Sequence, residues 1–246
     1  MKFVTDKPAL AIGKYLIISD LHVGLKKKRK DIPISLDIEE AMEKEILDIK
    51  ESTGTDKIVL LGDVKDDITS VSPEVYDFFG FLKSNFKEVI VAKGNHDGDI
   101  EVIPGIKVHP PSGFVLKHGR KKYGLLHGHS WPDEKLFSAD YIITGHQHRY
   151  RKLVDKQGKM YFQKVWIITD KIAEAAKAKY RSYRGFNSNV RCLILPSFNP
   201  LIMGEEISKK NIMGMGPLFT EDFFGLKTAS VYSLSGVCFG KVKELV

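Results

Sequence analysis

The stretch "EVIVAKGNHDGD" (88–99) joins an apolar run, Val89 to Ala92, to a turn in which Asn95, His96 and Asp97 stand between Gly94 and Gly98. The run is too short for a helix and rich in β-branched residues, so it reads as a buried strand. The turn alone could be a loop with tolerant backbone preferences. Its meaning comes from repetition along the chain. "KYLIISDLH" (14–22), "DKIVLLGDVKDD" (56–67), "KYGLLHGH" (122–129) and "DYIITGHQH" (140–148) are also apolar runs that end on acid or imidazole groups.

Between the early strands, "LDIEEAMEKEILDIKEST" (36–53) and "SPEVYDFFGFLKSNF" (72–86) carry helical spacing, the second with Ser72 as N-cap and Pro73 at the first helical position. The first half is therefore a β-α-β-α-β pattern. After Pro104 the signals are short strands and turns, a brief helix after "WPDEKLF", a hairpin around Lys156, Gln157 and Gly158, a short basic helix over 170–183, and closing strands in "NVRCLILPSF" and "ASVYSLSGVCFGKVKEL". One domain over 1–246 is expected, with parallel strands first and antiparallel strands later.

Composition sets broad limits. With 246 residues, 43% hydrophobic and 28% charged, the chain has the make-up of a folded protein with a charged surface. The start, "MKFVTDKPAL", has no continuous apolar segment of the signal-peptide kind, and no run approaches a membrane span, so a cytoplasmic location without a membrane partner is expected. Cys192 and Cys238 each lie in an apolar segment without C-x-x-C spacing and read as buried free thiols. The balance of 38 Lys plus Arg against 31 Asp plus Glu, net +7, favours approach to polyanions such as nucleic acid.

In an open α/β sheet the crevice lies at the carboxyl ends of the strands, where these polar ends would converge. Carboxylates gathered there repel one another, and buried polar groups need partners. Divalent cations resolve that cost. A mixed imidazole, carboxylate and amide set suits Mn, Fe, Zn, Co or Ni rather than Ca or Mg, and the ligand count implies two ions. His109 and His118 stand alone and read as ordinary side chains. Asp37, Glu39 and Glu40 read as the solvated first turn of their helix.

The series "DLH … GDVKD … GNHD … HGH … GHQH" resembles the calcineurin-like metallophosphoesterase superfamily over residues 20 to 148. "GDVK", "HGHSWP" and "LPSFNPLIMGEEI" (195–207) look like its archaeal DNA-ligase-associated branch. The resemblance implies an αββα four-layer sandwich of two mixed sheets flanked by helices. It also implies that Asp20, His22 and His148 hold one metal, that Asn95, His127 and His146 hold the other, and that Asp63 bridges them. In such sites the ions activate water for in-line attack on phosphorus. His96 would contact the phosphate or protonate the leaving oxygen, Asp66 would orient His96, with Asp67 and Asp97 as lesser alternatives, and His129 would lie behind the ligands or on the substrate.

"KKKRK" (26–30) follows the D-x-H loop directly, so Lys26, Lys27, Lys28 and Arg29 are candidate phosphate contacts. "GRKK" (119–122) and "KAKYRSYR" (177–184) are further basic clusters, the latter with Tyr180 and Tyr183 available to stack on bases. The reading that follows is a phosphodiesterase or nuclease using two divalent ions, Mn foremost, on nucleic acid, with a link to DNA repair. Two alternatives stand beside it: hydrolysis of small or cyclic nucleotides, and a scaffold for a helicase or ligase partner. Oligomeric state is open.

Overall fold

The computed structural model describes residues 1–25, 38–169, 172, 174–180, 182–207 and 214–245. Lys26, Lys27, Lys28 and Arg29, with the rest of the basic run, and the helix residues Leu36 and Asp37 lie outside the described residues.

Six strands form the first sheet in chain order: β1 (Lys2–Phe3), β2 (Leu10–Ile12), β3 (Tyr15–Ile18), β4 (Lys57–Leu60), β5 (Glu88–Ala92) and β6 (Lys107–His109). β3 through β6 are parallel, while β1 and β2 add antiparallel at one edge. Helices α1 (Ile38–Thr53) and α2 (Pro73–Asn85) are the crossovers. Helix α1 turns Ile38, Met42, Ile46 and Ile49 inward, a spacing that keeps one face on the sheet. Each such side chain contributes roughly 1.5–3 kcal/mol on burial.

The second sheet comprises β7 (Phe114–His118), β8 (Lys121–Leu126), β9 (Tyr141–Thr144), β10 (Arg149–Val154), β11 (Met160–Ile168), β12 (Arg191–Ile194), β13 (Glu205–Glu206), β14 (Ser230–Ser233) and β15 (Cys238–Lys241). Its outer face is covered by the short helices α3 (Glu174–Tyr180) and α4 (Pro217–Thr220) with neighbouring loops. The expectation of an antiparallel second half is corrected here: β9 pairs in parallel with both β8 and β12. The crossover from β8 to β9 holds only a 3-10 turn, Glu134–Ser138, capped by the Asp133 carboxylate. Such a turn is too short to show helical periodicity in sequence.

The apolar residues sort into three layers. Leu16, Ile18, Ile58 and Leu60 pack outward on α1 and α2; Ile17, Val59, Ile90, Ile143, Trp166 and Leu193 fill the space between the sheets; Val165, Ile167, Cys192 and Ile194 face the outer cover of the second sheet. Alternate residues of one strand thus serve two cores, which is why β3, β4 and β5 are apolar at every position after the first. The architecture is the four-layer αββα sandwich. Cys192 is buried as expected, whereas Cys238 is exposed, because β15 is an edge strand paired only through β14.

Candidate metal centre

The polar ends of β3, β4 and β5 in one sheet meet those of β8 and β9 in the other. Beyond β3 and β4 the backbone continues to pair: Asp20 N donates to Gly62 O at 3.1 Å, His22 N to Asp63 O at 2.9 Å and Val23 N to Val64 O at 2.8 Å. The D-x-H and G-D loops are therefore held side by side. Asp20, His22, Asp63, His146 and His148 all have positive φ, between 40° and 67°. This left-handed region is uncommon for residues other than glycine and is entered most readily by Asn, Asp and His. The D-x-H and H-x-H pairs are thus turns with left-handed backbone at both members; Asp20 and His22 fall in one group, while His146 and His148 fall in two.

The ligating atoms of Asp20, His22 and His148 lie within 4.8 Å of one another, as do those of Asp63, His127 and His146, and those of His22, Asp63 and His96. Asp63 stands between the groups. Its Oδ2 is 3.2 Å from His127 Nε2 and 3.6 Å from His22 Nε2, while its Oδ1 accepts the His96 backbone N–H at 2.9 Å. Asp20 reaches from the first sheet to the second, where His148 Nε2 lies 2.8 Å from its Oδ1 and the His146 N–H is 3.2 Å from its Oδ2. Of the seven expected ligands, Asn95 alone is exposed, and it precedes His96 in the chain.

Electrostatics follow from burial and these pairings. Burial alone would raise the pKa of Asp63, but His127 and the His96 amide hold its carboxyl well below the usual carboxylate range. Asp20 behaves alike: burial is outweighed by His148 and His127, and its pKa falls to about 2. Burial opposes charge on His127, yet the Asp63 and Asp20 carboxylates raise it to about 9. At His146 burial, then the positive charge of His127, push the pKa down to about 4, so this imidazole is neutral at pH 7.

The donor set fits a divalent cation. His127 Nδ1 lies 2.7 Å from the Leu61 carbonyl, which can only accept, so Nδ1 carries a hydrogen whatever the charge of the ring, and Nε2, whose proton faces Asp63 in the charged form, is the atom that would be freed for a cation in exchange for that proton. Nε2 of both His22 and His127 is buried, and among the described residues neither makes a well-aligned hydrogen bond. Buried nitrogens of this kind, turned toward ionised carboxylates, are what a cation would satisfy.

The comparisons with known proteins agree with this arrangement. The description "Calcineurin-like phosphoesterase superfamily domain" matches residues 14–168, more than half of the chain. The chain belongs to this superfamily. It is accordingly a metal-dependent hydrolase. Among solved structures, the Pseudomonas putida nuclease MPE is similar at 17% identity with a TM-score of 0.54, covering 90% of this chain and 85% of that one, which supports the shared fold. Yfce, a phosphoesterase from E. coli, aligns at 20% identity over 57% of this chain and 73% of its own, with a TM-score of 0.40. No curated protein matches.

Within this calcineurin-like phosphoesterase, several residues play parts that differ from the sequence expectation. Asp66 was expected to orient His96 through its carboxylate; instead its backbone carbonyl lies 2.7 Å from His96 Nδ1, and its carboxylate Oδ1 is 3.3 Å from His22 Nδ1. The loop geometry explains this, because Asp66 N is tied to Val23 O, directly beside His22. Glu39, expected to be solvated, accepts the Gly24 N–H at 3.0 Å and anchors α1 to the loop after His22. Tyr180 is not free for bases: its ring stacks on Phe137 at 4.3 Å. The neighbouring Lys179 instead sits over Trp131 at 3.8 Å, and Trp131 lines an open cleft of about 460 Å³ with His129 and Pro217. His129 is half-buried, and burial followed by the charge of His127 lowers its pKa to about 4.

Two supporting residues have parts that the sequence does not suggest, Asp97 having stood there only as an alternative to Asp66 beside His96. Asp97 is fully buried, its Oδ1 accepting from Val64 N at 2.9 Å and its Oδ2 from Gly94 N at 2.8 Å, so it ties the "GNHD" turn to the "GDVK" turn. Asn199, equally buried, donates its side-chain amide to Leu21 O at 2.6 Å and fastens the "LPSFN" loop of the second sheet to the D-x-H loop of the first. Their partners are backbone atoms, which leave no mark in the pattern of side chains.

Gly94 packs so closely that a Cβ there would overlap the Asp63 amide nitrogen and Oδ1. Gly94→Ala is expected to shift Asp63 and lower turnover by roughly 100-fold, with a stability loss of about 1–3 kcal/mol. Parallel measurement of turnover and chemical denaturation checks both; a variant with native turnover would show that Asp63 tolerates displacement.

Lys164 gives a pH prediction. Its Nζ donates to the carbonyls of Ser197 at 2.8 Å and Asn199 at 2.6 Å, and burial lowers its pKa to about 8 from 10.5. Between these values the unfolded chain binds more protons than the folded one, so this group makes stability rise with pH from about 8 to 10.5. The melting temperature of metal-free wild type should therefore gain on that of Lys164→Met across this range. A constant difference would show that Lys164 titrates normally.

Proposed function

We propose that the chain hydrolyses phosphodiesters of nucleic acid at a centre for two divalent ions. The observation that carries this reading is the position of Asp63 between two three-residue groups, Asp20, His22 and His148 on one side and His127 and His146 with Asp63 itself on the other. In this assignment each group would hold one ion, with Asp63 shared between them and Asn95 added to the second set. When bound, the ions supply an activated water and offset charge on the phosphate oxygens.

The chain's own residues do the positioning. Asp66 orients the His22 ring, Leu61 fixes the His127 tautomer, and the amide of His96 keeps Asp63 turned toward both groups. The His96 side chain, held through Nδ1, presents Nε2 for the phosphate or the leaving oxygen. Nucleic acid is favoured as substrate by the net charge of +7, which favours polyanion binding. The "GDVK", "HGHSWP" and "LPSFNPLIMGEEI" motifs favour the DNA-ligase-associated branch and hence a repair role in the cytoplasm, beside a helicase or ligase, with Mn as the leading metal. Among the described residues no helix is long and apolar enough to cross a membrane.

The test is turnover of bis-p-nitrophenyl phosphate by metal-free protein, with and without added Mn²⁺, Ni²⁺ or Zn²⁺, beside the monoester p-nitrophenyl phosphate. Metal-dependent diester cleavage is expected, competed by oligonucleotide and not by mononucleotide. Two bound ions without turnover on either compound would overturn the enzymatic reading in favour of a scaffold.

A further inference from the structure

The β10–β11 hairpin has no part in the centre described above. β11 joins the sheet antiparallel to β12 through Ile167 opposite Ile194 and Ile168 opposite Leu193. Its earlier residues, back to Met160, therefore run past the carboxyl end of β12, the end at which the metal centre lies. A straight strand from Ile167 to Met160 would reach about 23 Å. The arm is rooted at the centre on both strands: β10 starts directly after His148, and Lys164 of β11 holds the Ser197 and Asn199 carbonyls.

The register places Tyr150 opposite Lys164, Lys152 opposite Phe162 and Val154 opposite Met160, so these six side chains share one face. The rings of Tyr150 and Phe162 meet edge to face at 5.7 Å. Phe162 is 53% exposed, and Tyr161 on the other face is 42% exposed with Lys159 over its ring at 5.1 Å. At its base a cleft of about 340 Å³ opens between Phe162 and Lys164 on one side and Asp6, Ser233 and Ser235 on the other. Between its two ends the arm carries Arg151, Lys152, Lys156 and Lys159 against the single acid Asp155, while at its base Arg149 is buried in an ion pair with Glu205 and Lys164 is held by the carbonyls named above. Asp155 is engaged within the turn, accepting the N–H groups of Gln157 and Lys159.

Exposed aromatic rings set among cations suit a ligand with flat apolar faces and regular negative charge. A second copy of the arm would bring like charges together, and an apolar peptide would leave the cations unanswered. We infer that the β10–β11 hairpin is a binding arm for single-stranded nucleic acid, with a base stacked on Phe162 over the cleft and Lys152 and Lys156 on the flanking phosphates. This rests on the nucleic-acid reading of the centre and adds to it a path for the strand. An unpaired strand is favoured over a duplex because only unstacked bases offer their faces to a ring.

The test uses full-length, metal-stripped protein, which cannot turn over, and fluorescence anisotropy with a labelled mixed-sequence single-stranded oligonucleotide beside the same sequence as duplex. Phe162→Ala is expected to weaken single-strand binding roughly tenfold or more. Lys152→Ala should lower the slope of log affinity against log salt by about 0.7. With metal restored, both variants should cleave bis-p-nitrophenyl phosphate at the wild-type rate, since that compound is too small to reach the arm. Unchanged single-strand affinity in Phe162→Ala would overturn the inference, as would a wild-type dimer, seen by sedimentation, that Phe162→Ala converts to monomer. Failure of wild-type diester cleavage would count against the proposed function and leave the binding result to be judged separately.

Discussion

Asp63→Asn is expected to lower metal-dependent diester turnover by about 1,000-fold or more while leaving the fold in place. Asn is chosen because Asp63 has φ of 49°, a conformation that Asn tolerates and Ala does not. The amide oxygen can still accept the His96 N–H, so the "GNHD" turn stays attached. What disappears is the negative charge at Oδ2, which faces His127 and His22 from between the two groups. Without it His127 loses the main attraction that favours its charged form. Bound metal should fall along with turnover. Circular dichroism, melting and metal stoichiometry beside the rate separate this from misfolding, and full metal-dependent activity in a folded Asp63→Asn protein would remove Asp63 from the centre.

The strand ends were legible because burial and chemistry change abruptly at them. β3, β4, β5, β8 and β9 are apolar up to a point, and the next residues are acids or imidazoles, so the meeting place could be read, whereas the four layers followed only from the family resemblance. The direction of the late strands could not, since the link from Leu126 to Tyr141 carries no helix long enough to announce a parallel crossover. The target of Asp66 was hidden for a different reason. Spacing places the residue near two histidines, and only the bond from its amide to Val23 O decides that its carboxylate meets His22 and its carbonyl meets His96. Asp97 shows the same limit: it stands in the quoted motif, yet its partners are the amides of Gly94 and Val64. Left-handed backbone at Asp20, His22, His146 and His148 is permitted by their residue types and demanded only by the sheet geometry around them.

His96→Ala is the second substitution of large expected effect, a loss of roughly 100- to 10,000-fold in turnover. The backbone N–H to Asp63 survives this change, so Asp63 keeps its position and bound metal should be retained. The ring itself is set by two contacts, Nδ1 at 2.7 Å from the Asp66 carbonyl and an edge-to-face approach to His22 at 4.7 Å. With Nδ1 committed as donor, Nε2 is the atom available to a substrate. If it delivers a proton to the leaving oxygen, the loss should be small for p-nitrophenolate, which departs without protonation, and large for a nucleotide alkoxide, which does not. A loss equal for both leaving groups would assign His96 to the phosphate oxygens alone. A fall in metal stoichiometry would make it a ligand, a role that its ring nitrogen within 4.8 Å of ligating atoms of His22 and Asp63 permits, and would move the source of the leaving-group proton to another residue. His129, neutral and half-buried beside His127, would then be the next imidazole to replace.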